Sequence, residues 1–260
     1  MIRYVKDLIR YRELIELLTA REIKVRYKQS VLGILWALFQ PLLMVVIFTA
    51  IFTKIVRMPT GNIPYPVFFL SGLLPWMFFS NSLTASISSI VANADLVKKI
   101  YFPRVIFPIT SILAALFDFL ISFILLAILM CFFQIKVSNW IVFFPVILFI
   151  QIILSVGISL LLSALNVLYR DVRNAIGSII QIWMFATPVI YPLENIRPHL
   201  RSILLLNPMA GLVDSYRNVL AFSSPPNFLY LLESTVISVL ILIIAYFVFK
   251  RLEPTFADNV

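Results

Sequence analysis

From Val31 to Thr53 the chain reads VLGILWALFQPLLMVVIFTAIFT, an uncharged run closed by Lys28 before it and Lys54 after it. The hydrocarbon core of a bilayer is crossed by about 20 apolar helical residues, and a helix satisfies its backbone N–H and C=O groups internally, as lipid requires. The run therefore predicts a membrane-spanning helix over residues 31–53, and the rest of the chain repeats its pattern. Further spans are predicted over residues 65–91, 106–133, 140–165, 175–191 and 228–249, giving six. Composition agrees: 62% of the 260 residues are hydrophobic and 13% charged, with a mean hydropathy of +1.01. Soluble domains carry about 25% charged residues, so there is too little polar surface here to cover a water-soluble fold. The expected fold class is an all-α integral membrane protein, residues 1–260 forming a single transmembrane domain.

Six spans put both termini on one side, and the connecting charges say which. Arg3, Lys6, Arg10, Arg12, Arg21, Lys24, Arg26, Lys28, Lys98, Lys99, Arg104, Arg170, Arg173, Lys250 and Arg251 fall on the side of the termini, against Lys54, Arg57, Lys136, Arg197, Arg201 and Arg217 opposite. Basic residues collect in cytoplasmic loops, which predicts cytoplasmic termini in a multi-pass protein of the cytoplasmic (inner) membrane. The net charge of +9 is spread between apolar runs rather than gathered into a stripe, so phospholipid headgroups suit it better than nucleic acid. The first 28 residues mix basic with acidic side chains and hold no apolar signal core, so the first span is expected to act as its own uncleaved signal.

Three segments outside the spans have a pattern of their own. Within the cytoplasmic segment 1–29, Tyr4, Val5, Leu8, Tyr11, Ile15 and Leu18 recur at helical spacing, the pattern of an amphipathic helix at the membrane surface. Thr19 with Glu22 then reads as a capping box opening a second helix. Between the second and third spans, Asn93 as N-cap, Asp95 in a first turn, Lys98 and Lys99 in a last turn and Pro103 beyond predict a short cytoplasmic helix, either a docking knob or an ordinary basic loop. The segment 192–227 is long for a connection and mixes leucines with prolines and charges, which predicts short amphipathic or re-entrant helices at the outer face.

Catalytic motifs are absent. None of the glycines opens a G-x-x-x-x-G-K-S/T phosphate loop, no H-E-x-x-H or D-x-D metal motif occurs, and Cys131 and His199 are each alone in their residue type. The chain is expected to be no enzyme and to hold no cofactor or metal. Asp118, near the middle of a span, is a candidate intramembrane polar site, either a relay or an acid packed against a neighbouring helix. Trp36, Phe39, Trp183 and Phe185 are candidate path-lining aromatics, or rings that face lipid or sit at headgroup depth. Pro41 and Pro188 each free a backbone carbonyl and can kink a helix.

Several stretches resemble a known family in chain order: residues 21–41 (REIKVRYKQSVLGILWALFQP), 96–104 (LVKKIYFPR), 165–174 (LNVLYRDVRN), 186–192 (ATPVIYP) with 206–209 (LNPM), and 253–257 (EPTFA). They are similar to the ABC-2 type permeases that export O-antigen, capsular or teichoic-acid polymers. The resemblance implies a permease that pairs as a homodimer and binds two copies of a separate ATPase subunit carrying the ATP and Mg2+. Its cargo is expected to be a polyprenyl-diphosphate-linked glycan such as the O-antigen of lipopolysaccharide. It further implies that the amphipathic start is an interface helix and that Asp95, Leu96, Val97, Lys98, Lys99 and Tyr101 form the coupling helix to the ATPase. Segment 192–227 is expected to form outer gate helices. Arg26, Lys28 and Arg104 are the basic residues expected at an entrance for the lipid diphosphate. The alternatives are a drug or lipid exporter of the same superfamily and an ATP-independent carrier built on Asp118.

Overall fold

A computed structural model describes residues 9–28, 30–59, 61, 63–100 and 102–260. Helix α1 covers Arg12–Tyr27, and Gly33, at φ +53°, takes the left-handed turn that leads into α2, Trp36–Thr49, prolonged by a π-helical stretch Ala50–Ile55. Then follow α3 (Tyr65–Ile87), the short α4 (Ala94–Lys99), α5 (Ile106–Phe132), α6 (Phe144–Leu168) and α7 (Val172–Phe185). The chain ends with α8 (Pro198–Leu205), α9 (Pro208–Leu220), α10 (Phe228–Leu252) and α11 (Phe256–Asn259). No strand occurs among the described residues.

Five helical stretches are long and apolar enough to cross a bilayer: Gly33–Ile55, Tyr65–Ile87, Ile106–Phe132, Asn139–Leu168 and Phe228–Asn259. They coincide with five of the six predicted spans. The other, over 175–191, overlaps α7, whose 14 residues rise about 21 Å, short of the roughly 30 Å of hydrocarbon. Its helix stops at Phe185, and residues 186–191 turn. Pro188 brings no N–H to the ladder, which favours an end to the helix there, although α2 and α3 continue through Pro41 and Pro75.

Helix α3 is the most enclosed of the long helices and α2 the least. Small buried residues on α3, among them Ser71, Gly72, Ser82 and Ser86, let its neighbours approach closely, the usual means of packing helices where lipid offers no hydrophobic drive. Gln151 of α6 reaches it through a hydrogen bond from Nε2 to the Pro75 carbonyl at 2.7 Å. At Gly157 a Cβ would stand 3.0 Å from the backbone of Leu242, so α6 and α10 meet there main chain to main chain.

A second apolar cluster closes one end of the bundle, formed by Leu18, Ile90, Val97, Phe102, Phe107, Val167, Phe249 and Phe256 with others. Tyr11 and Ile15 pack against it, so the described part of the amphipathic face lies on protein, while residues 4–8 of that pattern fall outside the described residues. The expected break at Thr19 does not occur. Thr19 is interior to α1, its hydroxyl buried without a partner, and Glu22 accepts instead from Ser111 of α5 at 3.2 Å. A capping box needs a non-helical N-cap, and the packing of α1 along α5 keeps residue 19 helical.

Candidate functional site

Arg26 and Tyr27 form the last turn of α1, where the helix leaves the end cluster and passes α5. There the Arg26 guanidinium makes an ion pair with Asp118, and the Tyr27 hydroxyl donates to the same carboxylate at 2.5 Å. An acid within an apolar span is costly unless paired, and this one has found its partners on α1 rather than in another span. One turn further along α5, Ser122 donates to the carbonyls of Asp118 and Ala37, each at 2.8 Å, tying α5 to α2. Burial raises the Glu22 carboxyl above the usual range, opposed by the Ser111 hydrogen bond and by Arg26 and Arg21.

Beside the Arg26–Asp118 pair opens a cavity of about 440 Å³. Helix α2 contributes Trp36 and Gln40, α3 contributes Phe78, Asn81 and Thr84, and α5 contributes Asp118, Phe119 and Ser122. Aromatic faces interleaved with amide and hydroxyl groups, and one cation at the rim, form a surface suited to a polar, sugar-bearing or phosphate-bearing ligand.

The structure therefore brings three of the singled-out residues, Arg26, Trp36 and Asp118, to one place. Phe39 stands edge-on to Trp36 with ring centroids 5.5 Å apart, on the exposed side of α2. Trp183 packs elsewhere, edge-on to Phe79 at 5.2 Å, and Phe185 is exposed on α7. Lys28 is exposed at the end of α1. Arg104 does not line the cavity: its Nη1 donates to the Glu253 carbonyl at 2.5 Å and its backbone N–H to Glu253 Oε1 at 3.1 Å, which holds the end of α10 against the start of α5.

Helix α4 begins where Asn93 predicts, but the Asn93 side chain does not cap it. The amide donates to the Ser89 carbonyl at 2.8 Å, and Oδ1 accepts from Arg21 at 3.2 Å, linking α1 to the start of α4. Val97 is buried in the end cluster and Leu96 packs at its edge, leaving Asp95, Lys98 and Lys99 exposed on one side. Tyr101 lies outside the described residues. Tyr169, Arg170, Asp171 and Arg173 form a second exposed patch at the turn between α6 and α7.

Sequence reasoning missed Arg217, which it placed in an outer connection. Arg217 is 2% exposed, with its guanidinium 3.9 Å over the Phe68 ring. It donates to the carbonyls of Val189 at 2.5 Å, Tyr191 at 3.2 Å and Phe68 at 3.3 Å, while Tyr65 donates to the Ile190 carbonyl at 3.3 Å. Three successive carbonyls of the turn after α7 are thus satisfied by two side chains, and non-helical backbone at depth requires such donors. Gly72 makes room, since a Cβ there would lie 2.7 Å from the Arg217 guanidinium. Burial pushes the nearby Asp214 carboxyl up to about 6, against the pull of Arg217. The signal available in the sequence was the pairing of a short span ended by Pro188 with a basic residue, Arg217, one turn after Asp214 in the segment that follows.

Residues 13–221 match the family described as ABC-2 type transporter. The chain is 35% identical, over all of its own length and all of the other's, to the O-antigen export system permease protein RfbA of Myxococcus xanthus. It is 30% identical to the protein of the same name from Klebsiella pneumoniae, over 95% of this chain and 94% of that one. With the polysialic acid transport protein KpsM of Escherichia coli it shares 30% identity over 78% of this chain and 79% of that one.

Proposed function

The chain belongs to the ABC-2 type transporter family, and from that premise we propose how it serves export of a lipid-linked polysaccharide of the O-antigen kind. It is a multi-pass membrane protein and a permease subunit of an ABC polysaccharide exporter, a transport subunit rather than a catalyst, working with an ATPase partner. The observation that carries this reading is the end-to-end similarity to O-antigen export permeases. In the finer reading, α7 with the turn behind it acts as a fifth of six crossings, and both termini face the cytoplasm across the inner membrane. The distribution of basic residues supports that orientation. Two copies pair around the path, and two copies of a separate ATPase, holding ATP and Mg2+, dock beneath. The exposed apolar side of α2, with Leu42, Leu43 and Val46 among others, leaves a face for lipid or a second copy.

Closure of the ATPase subunits would push on the exposed side of α4. Through Val97 in the end cluster, and through the Arg21–Asn93 hydrogen bond, that push reaches α1, whose last turn carries Arg26 and Tyr27. The cavity beside Asp118 is then the entry point for the polyprenyl diphosphate. Asp118 holds Arg26 in place until the diphosphate, with more charge and more acceptor oxygens, takes over that cation.

Binding of a polyprenyl diphosphate to the purified chain tests the entrance. Arg26→Gln is expected to weaken binding by about tenfold or more, whereas Asp118→Asn, which leaves Arg26 with only its 4.0 Å pair to Glu22, keeps binding intact or tightens it. Unchanged binding in Arg26→Gln would remove the cavity from the path.

A further inference from the structure

We propose that the groove between α8 and α10 is a binding site for a zwitterionic phospholipid carrying a primary amine, of the phosphatidylethanolamine type. The groove has a volume of about 470 Å³ and lies where α10 begins. Arg201 and Ser202 of α8 and Tyr230 and Glu233 of α10 line it, with Leu206 and Ile237 between them. Arg201 is held in position by neutral acceptors, its Nη2 donating to the Glu194 carbonyl at 2.8 Å and the Ile196 carbonyl at 3.3 Å, while its Nε is enclosed without a partner. Among the described residues neither Arg201 nor Glu233 belongs to an ion pair. Two opposite charges thus line one groove without closing on each other.

A ligand with both charges fits that arrangement. The phosphate would take Arg201 through charge-assisted hydrogen bonds and the ammonium would take Glu233, with the Tyr230 hydroxyl at headgroup depth, where tyrosines concentrate. Glu233 lies about 8 Å along α10 from its first residue, at about 1.5 Å per residue, so it stands near one end of a helix long enough to cross a bilayer rather than at its middle. Further along α10, Val236, Leu240 and Ile244 are exposed and apolar, a track that acyl chains would follow and that a free sugar or a soluble phosphate would not use. A primary ammonium offers N–H donors to a carboxylate and a quaternary one offers none, so ethanolamine is favoured over choline.

Native mass spectrometry of the full-length chain with phosphatidylethanolamine, phosphatidylcholine and phosphatidylglycerol in competition tests the site. The expected result is preferential retention of phosphatidylethanolamine, and a drop of about tenfold in that preference in Glu233→Gln with phosphatidylglycerol retention unchanged. Equal retention of the three lipids, an unaltered preference in Glu233→Gln, or a groove that keeps no lipid because a second copy of the chain covers it would each overturn the proposal.

Discussion

Arg217 shows how much one side chain can hold where water is absent. A buried carbonyl without a donor costs about 1–3 kcal/mol, and Arg217 serves the Val189 and Tyr191 carbonyls while stacking on Phe68. Arg217→Met is expected to destabilise the fold by roughly 2–5 kcal/mol, read as a lowered thermal midpoint in detergent. Arg217→Lys should fall between it and the wild type, because one ammonium lacks the fork that reaches several carbonyls. An Arg217→Met midpoint equal to the wild type would show that the turn after α7 stands without this residue. At this scale the sequence was partly legible. Asp118 declared itself as an acid in an apolar run, yet its partners Arg26 and Tyr27 lie 92 and 91 positions away, a distance that no local pattern bridges. Arg217 was hidden for the opposite reason: charge alone assigns it to a loop, and only the broken backbone it satisfies explains its burial.

The helices were legible wherever length and hydropathy decide them, as in the five long stretches. Where a few residues decide, tertiary packing prevailed. Thr19 and Glu22 have the types of a capping box but lie in mid-helix because α1 packs continuously along α5. Asn93 starts α4 while its side chain serves Ser89 and Arg21. The two sides of α4 should respond differently to mutation. Lys98→Glu with Lys99→Glu alters only exposed side chains and is expected to leave the thermal midpoint within about 0.5 kcal/mol of wild type, while lowering recovery of the ATPase subunit in a pull-down. Full recovery of the ATPase by that double variant would move the docking surface away from α4, toward the patch at Tyr169–Arg173.

Over the whole molecule, two apolar clusters divide the work. The larger one packs the long helices and the turn after α7 fixed by Arg217, and the end cluster joins α1, α4, α5, α6, α10 and α11. A displacement at α4 therefore has a packed route to the cavity at Asp118, and that route has use only if an ATPase subunit supplies the displacement. Gentle purification of the tagged full-length chain from its native membranes, with mass spectrometry of what accompanies it, tests this most directly. The account predicts an ATP-binding subunit recovered in equal copy number with the chain. A chain that repeatedly purifies alone, under conditions that keep a control ABC transporter intact, would contradict it.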